Sequence, residues 1–273
     1  MTGPDLKYAR IAQERRDDLG VVACVTLANA RRMNSLSSAV MGDFIRAMET
    51  VSADPDLRAI VVTGDGDRAF MGGADIHEMN GLDAAGARTF ITTVHHMCRS
   101  VREAPVPVIA RVNGICLGAG LELAAACDLR VAVDHASFGM PEVNVGLPSV
   151  VEAALLPQLV GWGRTRQLVY TAEVIDARTA LAWGLVEEVA SPEALNDAVE
   201  RFVRPIVEAA PRAVRLQKEL VRHWEEMGPT AAVEEGIRNF FRAYETDEPR
   251  RYTQRIIDEI RARKAARNRE FQQ

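Results

Sequence analysis

The sequence predicts an α/β fold over residues 1–190, followed by a helical region over residues 191–273. Short runs rich in β-branched residues occur at 21–27, 59–63, 106–112 and 129–133. Each is followed by a turn and a longer amphipathic stretch, and strands separated by helices require the crossover connections of an α/β architecture. After Ser191-Pro192, which reads as a helix N-cap with Pro at the first helical position, the strand signal ends. Stretches 216–223, 231–244 and 252–267 are helical in pattern and heavily charged. Helices so thin in apolar residues need a partner surface, either the α/β part or another subunit.

Composition narrows the function classes. The chain has 273 residues, 48% hydrophobic and 26% charged, enough for one large or two modest cored domains. Thirty-three Lys and Arg stand against 38 Asp and Glu, a net charge of −5, which leaves no basic face for nucleic acid. Cys24, Cys98, Cys116 and Cys127 form no CxxC pair and no Cys/His metal spacing, so they are expected to be reduced core thiols. No apolar run reaches membrane-spanning length, and the first residues lack the apolar centre of a signal peptide. The expectation is a cytoplasmic enzyme with no metal or redox cofactor.

Two strand-to-helix turns carry the chemistry. A strand near 59–63 leads through a Gly/Asp turn to Gly72-Gly73-Ala74-Asp75, and Asp75 with Glu78 has capping-box spacing. The strand at 106–112 ends in Asn113-Gly114, and Gly118-Ala119-Gly120 then opens a second helix. Glycines before a helix start let a ligand approach the free backbone N–H groups. Two such entrances converging would aim two donors at one oxygen; small residues also serve plain strand–helix packing. Gly118-Ala119-Gly120 begins like a dinucleotide fingerprint, with Glu142 twenty residues on, but Leu123 stands where a third small residue is needed.

Glu122 falls in the first turn of the second helix, where the dipole favours the ionised form a general base needs. Glu142 lies between Pro141 and Val143 in an apolar stretch, where desolvation would favour the protonated acid. Carboxyls pushed in opposite directions make an acid/base pair. The same residues also fit a helix-dipole partner and a surface-loop residue, and the pattern alone leaves both readings open.

AFMGGADIHEM, ARVNGICLGAGLELAAACDLRVA and ASFGMPEVNVGLP resemble, in order, the signatures of the crotonase (enoyl-CoA hydratase/isomerase) family. NARRMNSLS upstream and TAEVIDARTALAWGLVEEV downstream extend the resemblance over residues 15–190. It implies a spiral of ββα units with a C-terminal helical trimerisation region, and a homotrimer or dimer of trimers. It implies an acyl-CoA thioester substrate, with coenzyme A entering only as part of that substrate. Residue by residue, the N–H groups of Ala74 and Ala119 would form the oxyanion hole, and Glu122 and Glu142 fall on the two catalytic glutamates. Arg32, Met33, Gly72, Gly73, Asp75, Ile76, Gly118 and Leu147 fall on substrate-binding positions, with Arg31 and Arg32 suited to phosphate. Both glutamates being present favours hydration of a 2-enoyl thioester. The alternatives are Δ3–Δ2 isomerisation, acyl-CoA hydrolysis or decarboxylation, and binding without turnover.

The chain departs from the hydratase pattern in places. Ser149-Val150-Val151-Glu152 replaces the usual Gly-rich turn, which implies a reshaped acyl pocket and leaves Glu152 an extra carboxylate. His77 stands where Lys is common, and 252–263 does not match the family's adenine-contacting pattern. His95 and His96 point about 100° apart on a helix, so they cannot chelate one ion, and one is expected to face inward. Trp162 is expected in the core or at an interface, with an acyl-channel role as the alternative. Asp128 is expected to be structural, and His135 has no evident partner.

Overall fold

A computed structural model describes the backbone of residues 5–270 and side chains through residue 264. The chain forms two compact units, one through Val207 and one from Glu208 onward. In the first, β1 (Ala9–Arg15), β2 (Val21–Leu27), β3 (Leu57–Gly64), β5 (Val108–Val112), β7 (Leu129–Val133) and β10 (Glu188–Ala190) make a six-stranded sheet in the order β1-β2-β3-β5-β7-β10. A smaller sheet takes β4 (Ala69–Met71), β6 (Ile115–Leu117), β8 (Ser137–Gly139) and β9 (Val174–Asp176) in that order. Pairing is parallel from β2 to β10 in the first sheet and from β4 to β8 in the second.

The chain therefore advances in strand pairs. Members β3, β5 and β7 enter the large sheet, and their successors β4, β6 and β8 enter the small one. Helices α2 (Ile76–Met79) and α3 (Ala84–Arg102), then α4 (Ala119–Ala126), then α5 (Leu156–Thr171) follow the successive pairs. This is the spiral of ββα units that the resemblance implied. The run β3 is buried at every position, as a parallel strand covered on both faces must be. Helix α1 (Ser38–Ser52) starts on the Ser37 hydroxyl, which accepts from Val40 N–H, and buries Val40, Met41, Phe44, Ala47, Met48 and Val51. Asn113 ties the two sheets together: its Nδ2 donates to Gly64 O of β3 at 2.9 Å and to Ala69 O of β4 at 3.3 Å, and its Oδ1 accepts from Gly64 N–H at 3.2 Å.

Several local expectations shift. The second member of each strand pair is only three residues long, too short for an alternation signal. Ser191-Pro192 opens a turn, and α7 (Leu195–Glu208) begins three residues later. Its Leu195, Ala198, Val199, Val203 and Val207 join the α/β core. The second unit holds α8 (Pro211–Glu226), α9 (Pro229–Ala243) and α10 (Glu248–Glu270). Trp162 is 65% exposed, which removes the core placement and leaves the interface one.

Candidate active site

The site follows from strand order. Because β4, β6 and β8 are adjacent and parallel, their C-terminal ends deliver three turns side by side. The first runs from Met71 through Gly72-Gly73-Ala74 to Asp75. Gly72 N–H donates to Met33 O at 2.8 Å, Leu36 N–H to Gly73 O at 2.9 Å, and Asp75 N–H to Leu36 O at 3.0 Å. In that bridge Leu36 pairs with Ala74, so the Ala74 amide points to the side away from Leu36. The second turn runs from Leu117 through Gly118 to Ala119, the first residue of α4, whose N–H has no acceptor within the helix.

The two turns touch. Gly73 has φ +99° and Gly118 φ +51°, conformations that disfavour a side chain. A Cβ on Gly73 would come 3.1 Å from Leu117 O; one on Gly118 would come 4.0 Å from Gly73 Cα and 2.5 Å from Glu142 Oε1. The Glu142 carboxyl thus faces the bare backbone between the turns. Glu142 itself opens a 3₁₀ turn, Glu142–Val145, after β8.

Glu122 lies one turn into α4 and is 3% exposed. Its Oε1 accepts from Ala153 N–H at 3.3 Å, and Val150 N–H also supports the carboxyl. Burial, followed by the neighbouring Glu142 charge, pushes its pKa up to about 8, against the pull of those two amides. This overturns the sequence expectation of an ionised Glu122 at the helix start. The helix-dipole effect is outweighed by burial, whereas Glu142 is half-buried and is followed by exposed Val143. Glu142 Oε2 accepts from Ser149 Oγ at 2.7 Å.

The structure also brings together residues that pattern reading missed. Glu152 is buried, and its Oε1 lies 2.7 Å from His95 Nδ1. Both His95 and His96 are exposed, contrary to the expectation that one faces inward. The spacing of His95 and Glu152, 57 residues apart, gives no sequence signal. The substitution of 149–152 for a Gly-rich turn was the available clue.

Asp75 caps α2 as the spacing predicts, accepting from His77 N–H at 2.9 Å and Glu78 N–H at 3.4 Å. The capping box is only half made, because Glu78 turns to the Ser38 N–H at 3.0 Å. Arg32 places Nη1 3.0 Å from Asp75 Oδ2. Burial works to raise the Asp75 pKa, but the two amides and Arg32 outweigh it and hold the carboxyl below its usual value. Arg31 and Arg32 are exposed, Met33 is half-buried, and Ile76 and Leu147 are exposed beside the turns. Asp128 Oδ2 accepts from Val108 N–H at 2.6 Å, a structural bond between strands. His135 Nε2 lies 3.3 Å from Asp67 O, supplying the missing partner. In the helical unit Glu219, His223 and Glu235 bring ligand-type atoms within 4.8 Å of one another. Their carboxylates already pair with Arg242 and Arg238.

Residues 18–258 match the enoyl-CoA hydratase/isomerase family. The chain belongs to that family. It is 38% identical over 214 residues to a crotonyl-CoA hydratase of Syntrophomonas wolfei, covering 78% of this chain and 81% of the relative. It is 36% identical over 203 residues to a short-chain-enoyl-CoA hydratase of Clostridium acetobutylicum, covering 74% and 78%. The crystal structure of an enoyl-CoA hydratase from Bacillus anthracis superposes with a TM-score of 0.85 at 29% identity, over 91% of this chain and 96% of that one. The crotonase-family resemblance read from the sequence, and the fold it implied, are thereby shown.

Proposed function

We propose that this chain is an enoyl-CoA hydratase that adds water across the double bond of a 2-enoyl-CoA thioester. The observation that carries the reading is the Glu142 carboxyl at the paired Gly73 and Gly118 turns, with the buried Glu122 carboxyl close enough to feel its charge. The thioester oxygen sits between the Ala74 and Ala119 N–H groups, which hold the negative charge that develops there. Glu122 takes a proton from water as its oxygen bonds to Cβ. The double-bond electrons move toward the thioester carbonyl, and Glu142 returns a proton to Cα, giving a 3-hydroxyacyl thioester. No further cofactor takes part.

The pair must therefore hold one proton, carried on Glu142 in the reactive form. Burial favours the other placement in the free enzyme, with the proton on Glu122. The Glu142 charge that helps raise Glu122 couples the two carboxyls, and the reactive form carries the same single proton on Glu142 instead. Exposed Ile76, Val143, Val145 and Leu147 rim the turns with apolar surface suited to an acyl chain. Arg32 and Met33 flank the first turn, where the coenzyme A phosphates and thioester approach.

Val233, Ile237, Phe240 and Phe241 on α9, with Tyr244 at its C-cap, are each more than 60% exposed and recur at helical spacing. Such a face supports burial against other copies, in a homotrimer or dimer of trimers. No helix among the described residues is long and apolar enough to cross a membrane. The family and the acidic composition support an acyl-CoA enzyme of the cytoplasm with no nucleic-acid partner.

Purified protein incubated with crotonyl-CoA should bleach the conjugated thioester chromophore, and Glu122→Gln should abolish that change. Formation of the chromophore from a 3-enoyl-CoA, without loss from crotonyl-CoA, would identify an isomerase instead. Binding of either thioester with no turnover would remove the catalytic reading.

A further inference from the structure

Glu152 is a third interior carboxyl that the reaction above does not use. It follows Val151, whose φ of +38° is a strained conformation for a β-branched residue. The Glu152 side chain is 8% exposed, and its Oε1 lies 2.7 Å from Nδ1 of His95 on α3. Among the described residues its Oε2 is buried without a hydrogen-bond partner, and the Cys98 thiol lies against the same carboxyl. The next residue, Ala153, donates its N–H to Glu122. A continuous path therefore runs from α3 through His95 and Glu152 to the turn that grips Glu122.

A buried carboxyl paired with a half-exposed imidazole is a costly way to fill space; an apolar side chain would avoid the desolvation. We propose that Glu152, clamped by His95, is a positioning residue for Glu122. It anchors the strained turn whose amides hold the Glu122 carboxyl, and its charge tunes how tightly Glu122 keeps its proton. This inference rests on the role given to Glu122 in hydration.

The groups around Glu122 are few. Glu142 faces it from the 3₁₀ turn after β8, and Glu152 from the turn before α5. Helix α3 brings Cys98 and His95, the Cys98 thiol being pushed up by burial and then by Glu152 and Glu122. Strand β6 carries Cys116, also raised by burial, with Cys127 beyond the end of α4. Strand β4 has no titratable side chain. Glu152 is thus the negative neighbour of Glu122 that the chemistry leaves free to adjust it.

The test compares the parent enzyme with Glu152→Gln, Glu152→Asp, His95→Ala and the Glu152→Gln/His95→Ala double variant. The infrared band of the protonated Glu122 carboxyl, assigned by its loss in Glu122→Gln, reports ionisation without turnover. The descending alkaline limb of kcat/KM for crotonyl-CoA reports the same ionisation through the reaction. Glu152→Gln should move both to lower pH by roughly one unit, because a like charge is removed. Glu152→Asp keeps the charge and should restore most of the parent titration. His95→Ala should lower kcat several-fold in the parent and have no further effect beside Glu152→Gln. A Glu152→Gln titration superimposable on the parent, or a His95→Ala effect equal in both backgrounds, overturns the proposal. A shifted infrared band with an unmoved kinetic limb would instead remove Glu122 from the base role and leave the pairing standing.

Discussion

Ser149 Oγ donates a 2.7 Å hydrogen bond to Glu142 Oε2. Four residues later the Ala153 N–H reaches Glu122 Oε1 at 3.3 Å. One short segment therefore holds both carboxyls of the proposed acid/base pair, and its two ends fix their separation. A Gly-rich turn in its place would supply amides but no hydroxyl, so this chain orients Glu142 with a side chain of its own.

Ser149→Ala removes the only side-chain donor recorded at Glu142 among the described residues. A hydrogen bond of this type contributes about 1 kcal/mol, so kcat for crotonyl-CoA should fall roughly fivefold with KM little changed. Steady-state kinetics checks this. An unchanged kcat would mean that Glu142 keeps its orientation without Ser149.

Glycine substitutions should separate the site from the scaffold. At Gly118, φ is +51° and an added Cβ would press on Glu142 Oε1 at 2.5 Å. Gly118→Ala should therefore reduce hydration by about a hundredfold or more, from roughly 3 kcal/mol of strain and misplacement. At Gly120 an added Cβ would meet the Met71 backbone oxygen at 2.5 Å, where nothing flexible can yield. Gly120→Ala should chiefly lower the thermal midpoint, by loosening α4 from β4. Parallel melts and rates on the two variants test the division.

The raised Glu122 pKa makes a pH prediction of defined sign. Because the value moves from 4.5 to about 8 on folding, the folded state keeps a proton that the unfolded chain releases. The stability it contributes is complete below pH 4.5 and is lost progressively as pH rises toward 8. Glu122→Gln should remove this loss, and so be more stable than the parent at pH 8 by a few kcal/mol at most. The gain should vanish near pH 4.5. Denaturant melts at both pH values read it. For the same reason kcat/KM should decline as pH rises through about 8, where the pair gives up its last proton.

Cysteine chemistry offers a test of the core. Cys98 and Cys116 are buried, and burial pushes both thiols well above their ordinary pKa. Cys127 is also buried, whereas Cys24 is half-buried. Alkylation of the native protein at neutral pH should modify Cys24 at most, and all four after unfolding. Mass spectrometry counts the adducts. Rapid native labelling at Cys98 would show that the packing between α3 and Glu152 opens.

The sequence by itself determined the α/β class, the two glycine-bearing helix entrances, the Asp75 cap and the candidates Glu122 and Glu142. Each of these is written in local chemistry: β-branched runs, missing Cβ atoms, a carboxyl at a helix start. Only the tertiary structure decided that β4, β6 and β8 lie side by side, because parallel neighbours are joined by long crossovers that leave no mark in spacing. That adjacency brings residues 74, 119 and 142 to one place. The electrostatics were decided there too: the dipole at the start of α4 is visible in sequence, but the burial that overrides it comes with the packing of α3 and of residues 151–155 against α4, both remote from it along the chain. The same holds for His95 and Glu152, since desolvation and ion pairing depend on distance in space and sequence records only order.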